Sequence, residues 1–298
     1  MASSYIGMTT SETRSGPVAI GGVGGSGTRV VAQIVRDLGF YLGDDTNAAL
    51  DNLWFTLLFK RPRWYERSAS GLQTGLSLFR KAMSGSGNPT PSETAFLLRA
   101  TLDVGVRGHD HLGSGRGVWA LQRARSLRGA PGPRPGSVGW GWKEPNTHVL
   151  LEHLASSFPD LKYVHTIRHG LEMAYSRNQF QLFNWGPAFG VEPPRNGAAL
   201  PPRALSYWVR ANERAIELGR GLFEERFLLL RYESLCDDPS GAVSRLAGFL
   251  GLAPDDDLVS RLASQVAAPP PPRRPHDLAS AGFAPEDLAM TERLGFPI

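Results

Sequence analysis

Cysteine is nearly absent: Cys236 stands alone in a chain of 298 residues. No intramolecular disulfide can form, a Cys-rich zinc site is excluded, and a reducing compartment fits best. Lysine is almost as scarce. Only Lys60, Lys81, Lys143 and Lys162 interrupt an otherwise arginine-based positive complement, so each is a residue to inspect. Long apolar runs are missing too. No segment approaches the ~18 residues that span a bilayer, and the small, polar stretch 1–16 has no apolar core of the signal-peptide kind. The expectation is a cytoplasmic protein with no membrane span and a flexible N-terminus over 1–16.

What is present is ordinary for a folded chain. A composition of 41% hydrophobic and 20% charged residues excludes wholesale disorder and collagen-like repetition. The net charge of +4 suits an anionic small ligand as well as nucleic acid and decides nothing alone. Apolar residues 18–20 run into the glycines of 21–27, after which Val30, Val31, Ile34, Val35 and Leu38 recur on one helical face, with Gly39 as a stop. A second strand, helix and strand unit follows over 138–142, 149–158 and 161–167. A helix over 204–222 and a strand over 226–230 come later. This alternation predicts one α/β domain over 17–268, with a mainly parallel sheet flanked by helices. Residues 46–136 lack strand alternation and read as a helical insertion covering the active site on the acceptor side. Residues 269–298, opening on four prolines, read as a Pro-rich C-terminal tail.

Gly22, Gly24 and Gly27 make a GxGxxG pattern between a strand and a helix, the setting in which glycines let a backbone approach a phosphate at a helix N-terminus. A P-loop triphosphatase needs Lys and then Ser or Thr directly after Gly27. Thr28 and Arg29 stand there instead. A nicotinamide enzyme wants an acidic residue ~20 positions on for the ribose, and Asp44 or Asp45 could serve, so that reading stays open. Arg168 ends a strand and Ser176 lies eight residues later, inside the next predicted helix. A planar guanidinium and a short hydroxyl can close on one anion, and two anion sites on one sheet suggest a ligand phosphorylated at two places. The stretch His109, Asp110, His111 lacks a third metal ligand and reads as a solvated loop. Trp54, Phe55, Phe59, Trp64 and Tyr65 could line a sugar-stacking pocket, although core packing is the commoner use.

Together these motifs resemble the sulfotransferase family, which uses 3′-phosphoadenosine-5′-phosphosulfate as donor. Gly24, Gly25, Ser26, Gly27 and Thr28 resemble its 5′-phosphosulfate loop, and Arg168 with Ser176 has its 3′-phosphate spacing. Lys143, Glu144 and Pro145 are similar to a lysine-acid-proline element of the protein-tyrosine and bacterial branches, and Tyr232 to a tyrosine that touches the nucleotide. The resemblance implies a P-loop-like α/β fold, this co-substrate, no metal, and a small-molecule or glycan acceptor with no nucleic acid partner. It also implies a basic residue at the position of Gly25, for which Arg29 and Lys143 are the substitutes. Asp45 maps to the presumed base of the tyrosine-sulfating branch, with His148 as the other candidate. The competing readings are a nicotinamide-dependent oxidoreductase and a non-catalytic nucleotide-binding protein.

Overall fold

In the computed structural model of this chain, residues 15–61, 69–103, 116–195, 197–267 and 282–298 are described. The two ring residues Trp64 and Tyr65, the 109–111 stretch and the four prolines fall outside them, as does 1–14. Strand β1 (Ser15–Gly22) leads through the glycine loop into α1 (Thr28–Asp37) and a two-residue strand, β2 (Phe40–Tyr41). Among the described residues four helices follow: α2 (Leu53–Phe59), α3 (Ala69–Ser84), α4 (Pro91–Leu102) and α5 (Arg116–Arg128). Strand β3 (Gly139–Lys143) then gives a 3-10 turn over Pro145–Leu150, α6 (Leu151–Ser157) and β4 (Lys162–Ile167). Short helices α7 (Gly170–Ala174) and α8 (Phe180–Trp185) precede the long α9 (Leu200–Phe223) and β5 (Phe227–Arg231). Helices α10 (Tyr232–Asp237), α11 (Pro239–Leu250), α12 (Asp256–Ala263) and α13 (Pro285–Arg293) complete the order.

The five strands form one sheet in the order β2-β3-β1-β4-β5, and every pair is parallel. Parallel strands buried on both faces are apolar in sequence rather than alternating. Val18, Ala19 and Ile20 are all wholly buried. Their side chains still divide by face, since successive residues of a strand point oppositely. Val18 and Ile20 join Val31, Val35, Val164, Leu228 and Leu246 on one side, whereas Ala19 joins Phe55, Phe79, Trp142, Tyr163 and Trp208 on the other.

The described part of the insertion is helical and uses Trp54, Phe55 and Phe79 as core. Phe55 stacks on Trp142 with ring centroids 5.8 Å apart, Phe79 meets the same indole edge-on at 5.2 Å, and Trp54 is 1% exposed. Helix α9 starts four residues before the predicted 204, because Pro201 and Pro202 occupy its first turn, where a missing N–H costs nothing. The end of the stretch read as a tail returns to the core. Phe296 is 1% exposed, packs on Trp208 at 5.8 Å and lies 4.3 Å beneath the Arg231 guanidinium. No helix among the described residues is long and apolar enough to cross a membrane.

Candidate active site

The residues able to do chemistry gather where the parallel strands end. Gly22 of β1 is in register with Thr166 of β4, so the glycine loop and Arg168 leave neighbouring strands side by side. Gly25 and Gly27 hold φ at 100° and 93°, a left-handed backbone that other residues adopt at a cost of ~1–2 kcal/mol. Gly27 caps α1, whose first amides have no carbonyl one turn back to accept them, so the helix start offers donors and a positive dipole end. Thr166 Oγ1 donates to the Gly21 carbonyl at 3.1 Å, which leaves Ser26 Oγ as the donor to Thr166 Oγ1 at 2.8 Å. The loop is therefore pinned to β4. Tyr232 closes its other flank: the ring lies so near Gly27 that a Cβ there would collide with it, and the Arg168 guanidinium sits 5.0 Å over the same ring.

Beside the loop opens a cavity of about 230 Å³, reaching from Val23 and Gly24 to Glu144, Tyr207 and Trp208, with Asn47, Asp51 and Lys60 contributed by the insertion side. Its back wall is a chain of hydrogen bonds. Gly24 N donates to Gln181 Oε1 at 2.9 Å, Gln181 Nε2 donates to Asn146 Oδ1 at 3.0 Å, and Asn146 donates through N and Nδ2 to the two oxygens of Glu144 at 2.7 and 2.8 Å. Glu144 is 2% exposed. Burial pushes its carboxyl up to about 7, with Lys60 opposing and Asp51 adding to the rise. The Tyr207 hydroxyl is buried without a hydrogen-bond partner among the described residues, and burial, then the charge of Glu144, drive its phenol upward.

A glycine loop at a helix start, an arginine at the end of the neighbouring strand and a polar cavity thus share one edge of the parallel sheet. A sequence profile for the Sulfotransferase family matches residues 17–257. The chain belongs to the sulfotransferase family. No curated protein sequence matches it. Among solved structures it is similar to a sulfotransferase from Mycobacterium tuberculosis H37Rv, at 19% identity and TM-score 0.47, covering 95% of this chain and 77% of that one. It is also similar to the sulfotransferase domain of the Synechococcus olefin synthase, at 16% identity and TM-score 0.49, covering 98% of both chains. A third is retinol dehydratase solved with androsterone and the inactive cofactor PAP, at 15% identity and TM-score 0.38, covering 86% of this chain and 65% of that one.

In this member of the family the residues singled out from sequence fall into two groups. The loop from Gly24 to Thr28, Arg168 and Tyr232 come together. Arg29 is exposed on α1. Ser176 lies past the end of α7 rather than within a helix, because that helix stops at Ala174, and its Oγ accepts from Asn178 N at 3.2 Å. Lys143 is buried with its ammonium on the Asp51 carboxylate and on the Ala49 carbonyl at 3.0 Å. Asp45 is turned to the insertion. Its carboxylate accepts from Ser126 Oγ at 2.5 Å and pairs with Arg123 at 2.7 Å, and it does not line the cavity. His148 is fully buried behind the cavity wall, where burial, then His165 and Arg214, hold its imidazole well below the ordinary value.

Several cavity residues escaped the sequence reading. Asp51, Asn146, Gln181 and Tyr207 sit in no motif. Lys60 had a signal in the rarity of lysine, and Glu144 was visible only as the middle of the lysine-acid-proline element.

Proposed function

We propose that this chain transfers a sulfuryl group from 3′-phosphoadenosine-5′-phosphosulfate to a small-molecule acceptor hydroxyl or amine by in-line displacement. The observation that carries the reading is the pairing of β1 with β4. It sets the glycine loop, with its helix-start amides, beside Arg168 and bridges the two through Tyr232. One nucleotide with phosphates at both ends of its ribose spans such a pair of sites. The helix-start amides, on a loop that Ser26 pins to β4, meet the 5′ end, and Arg168, with Ser176, meets the 3′-phosphate. Charge growing on the departing phosphate is met by the helix start and by Arg29, or by Lys143 once its ammonium leaves Asp51, so positioning and electrostatics supply most of the acceleration.

Isothermal titration tests the donor. Adenosine 3′,5′-bisphosphate is expected to bind at least ten-fold tighter than AMP, about 1.4 kcal/mol, and far tighter than NAD. Arg168→Ala should erase most of the preference for the bisphosphate. Equal binding of bisphosphate and AMP by the wild type would remove the 3′-phosphate site, and tighter binding of NAD would restore the oxidoreductase reading.

A further inference from the structure

We propose that Glu144 is the catalytic base of this site, taking the proton of a small neutral alcohol bound in the cavity between the glycine loop and Tyr207. The inference rests on the sulfotransferase reading above and names the group that reading leaves open.

Three other groups compete; two are held by partners and the third does not line the cavity. Asp45 is spent on Arg123 and Ser126 and does not reach the cavity. Asp51 does line it, but one carboxylate oxygen takes Lys143 and the other accepts from Asn47 Nδ2 at 2.8 Å, and a carboxylate held by an ammonium is a poor base. His148 lies behind the wall. Glu144 remains. Asn146 fixes both its oxygens from one side, and each oxygen keeps a second lone pair. The same Asn146 is tied through Gln181 to Gly24, so the carboxylate is held at a set position relative to the loop that receives the donor.

The cavity also holds a hydroxyl with nothing to bond. Tyr207 Oη is buried and unpartnered among the described residues, an arrangement that costs ~1–3 kcal/mol unless a ligand relieves it. A hydroxyl of the acceptor, bonded to Tyr207 on one side and to Glu144 on the other, satisfies both. Asp51 neutralises Lys143 and ionised Glu144 offsets Lys60, so the lining with its base ready carries no net charge and suits a neutral guest. The volume of about 230 Å³ holds roughly eight waters at liquid density, the scale of a small polyol.

The step balances. The acceptor O–H bond breaks with its proton passing to Glu144, and the freed pair forms the new O–S bond. The S–O bond to the 5′-phosphate breaks with its pair leaving on adenosine 3′,5′-bisphosphate, and Glu144 then releases the proton to water. Because burial lifts this carboxyl to about 7, it is basic enough to accept a proton and is ionised on the alkaline side.

The test follows single-turnover transfer from radiolabelled donor to water, glycerol and glucose as probe acceptors, across about pH 5 to 9. Wild type is expected to show a rate that climbs through neutral pH and levels off. Glu144→Gln should lower the plateau by ~100-fold or more and remove the climb, with adenosine 3′,5′-bisphosphate affinity retained. Glu144→Asp, which keeps an acid with a shorter reach, should keep a climb at reduced rate. A Glu144→Gln profile matching wild type in plateau and climb would overturn the assignment. If that variant does not fold, an Asp variant whose climb and plateau equal those of wild type overturns it instead. Failure of wild type to bind the bisphosphate would fall on the donor reading. Binding of the bisphosphate without transfer to any probe would overturn the role of Glu144 while leaving the nucleotide site.

Discussion

Gly27 is held at φ 93° with the ring of Tyr232 against its α-carbon. Gly27→Ala should therefore cost ~1–3 kcal/mol in stability and push Tyr232 off the loop, weakening adenosine 3′,5′-bisphosphate by ten-fold or more in titration. Unchanged affinity would detach Tyr232 from the nucleotide face. Gly25 is equally committed at φ 100°, with Met173 Cε 3.2 Å from where a Cβ would sit, which explains in physical terms why a basic residue is missing there. Lys143 carries a second consequence. Removing one partner of a buried ion pair strands the other, so Lys143→Ala should lower stability by ~3–5 kcal/mol in denaturant unfolding as well as reducing kcat. A loss of kcat with stability intact would show that Asp51 finds water instead. The glycine loop and Arg168 could be placed from sequence because each follows a strand with an apolar run, and Lys143 stood out through the rarity of lysine and its place before Glu144 and Pro145. Gln181 was not, since its bond to Gly24 joins positions 157 apart and exists only through packing.

Among the elements, α3 and α4 show how the insertion is clamped. Thr90 and Glu93 form a reciprocal capping box at the start of α4, and Glu93 also receives Lys81 at 2.8 Å and Ser77 at 2.7 Å from α3. Burial alone would raise this carboxyl, but Lys81, Thr90 and Ser77 overcome it and hold it down to about 2. A depressed acid stabilises the fold above its unfolded value near 4.5 and loses that contribution as pH falls toward 2. The melting-temperature gap between wild type and Glu93→Gln should accordingly be wide at neutral pH and shrink in acid. A gap independent of pH would mean that the clamp is steric. Periodicity revealed α1, α9 and the buried strands, yet neither the separate helices of the insertion nor β2, whose two residues are too few to show a pattern. Nor did it place α13, where Phe296 on Trp208 and Arg231 supplies what the short helix lacks. Phe296→Ala should cost ~3–5 kcal/mol, read from chemical denaturation, and a change under 1 kcal/mol would mark the C-terminal turn as a loose appendage.

At the scale of the whole molecule, the strand order has a consequence for the newborn chain. Strands β1 and β2 come first from the ribosome but never touch, because β3 lies between them. No sheet pair can form until residue 143 has been made. At ~5–20 residues per second, β1 waits on the order of ten seconds with its apolar triplet bare. A chain cut at residue 138 should show helical circular dichroism without a cooperative melt, while one extended through β4 regains a transition; a sharp melt in the shorter chain would mean that the insertion folds unaided. The triplet Val18, Ala19 and Ile20 is flanked by Gly16 and Pro17 on one side and Gly21 and Gly22 on the other. Residues that serve the finished protein as a phosphate turn thus also act as gatekeepers during synthesis, keeping an orphan strand too short to template aggregation.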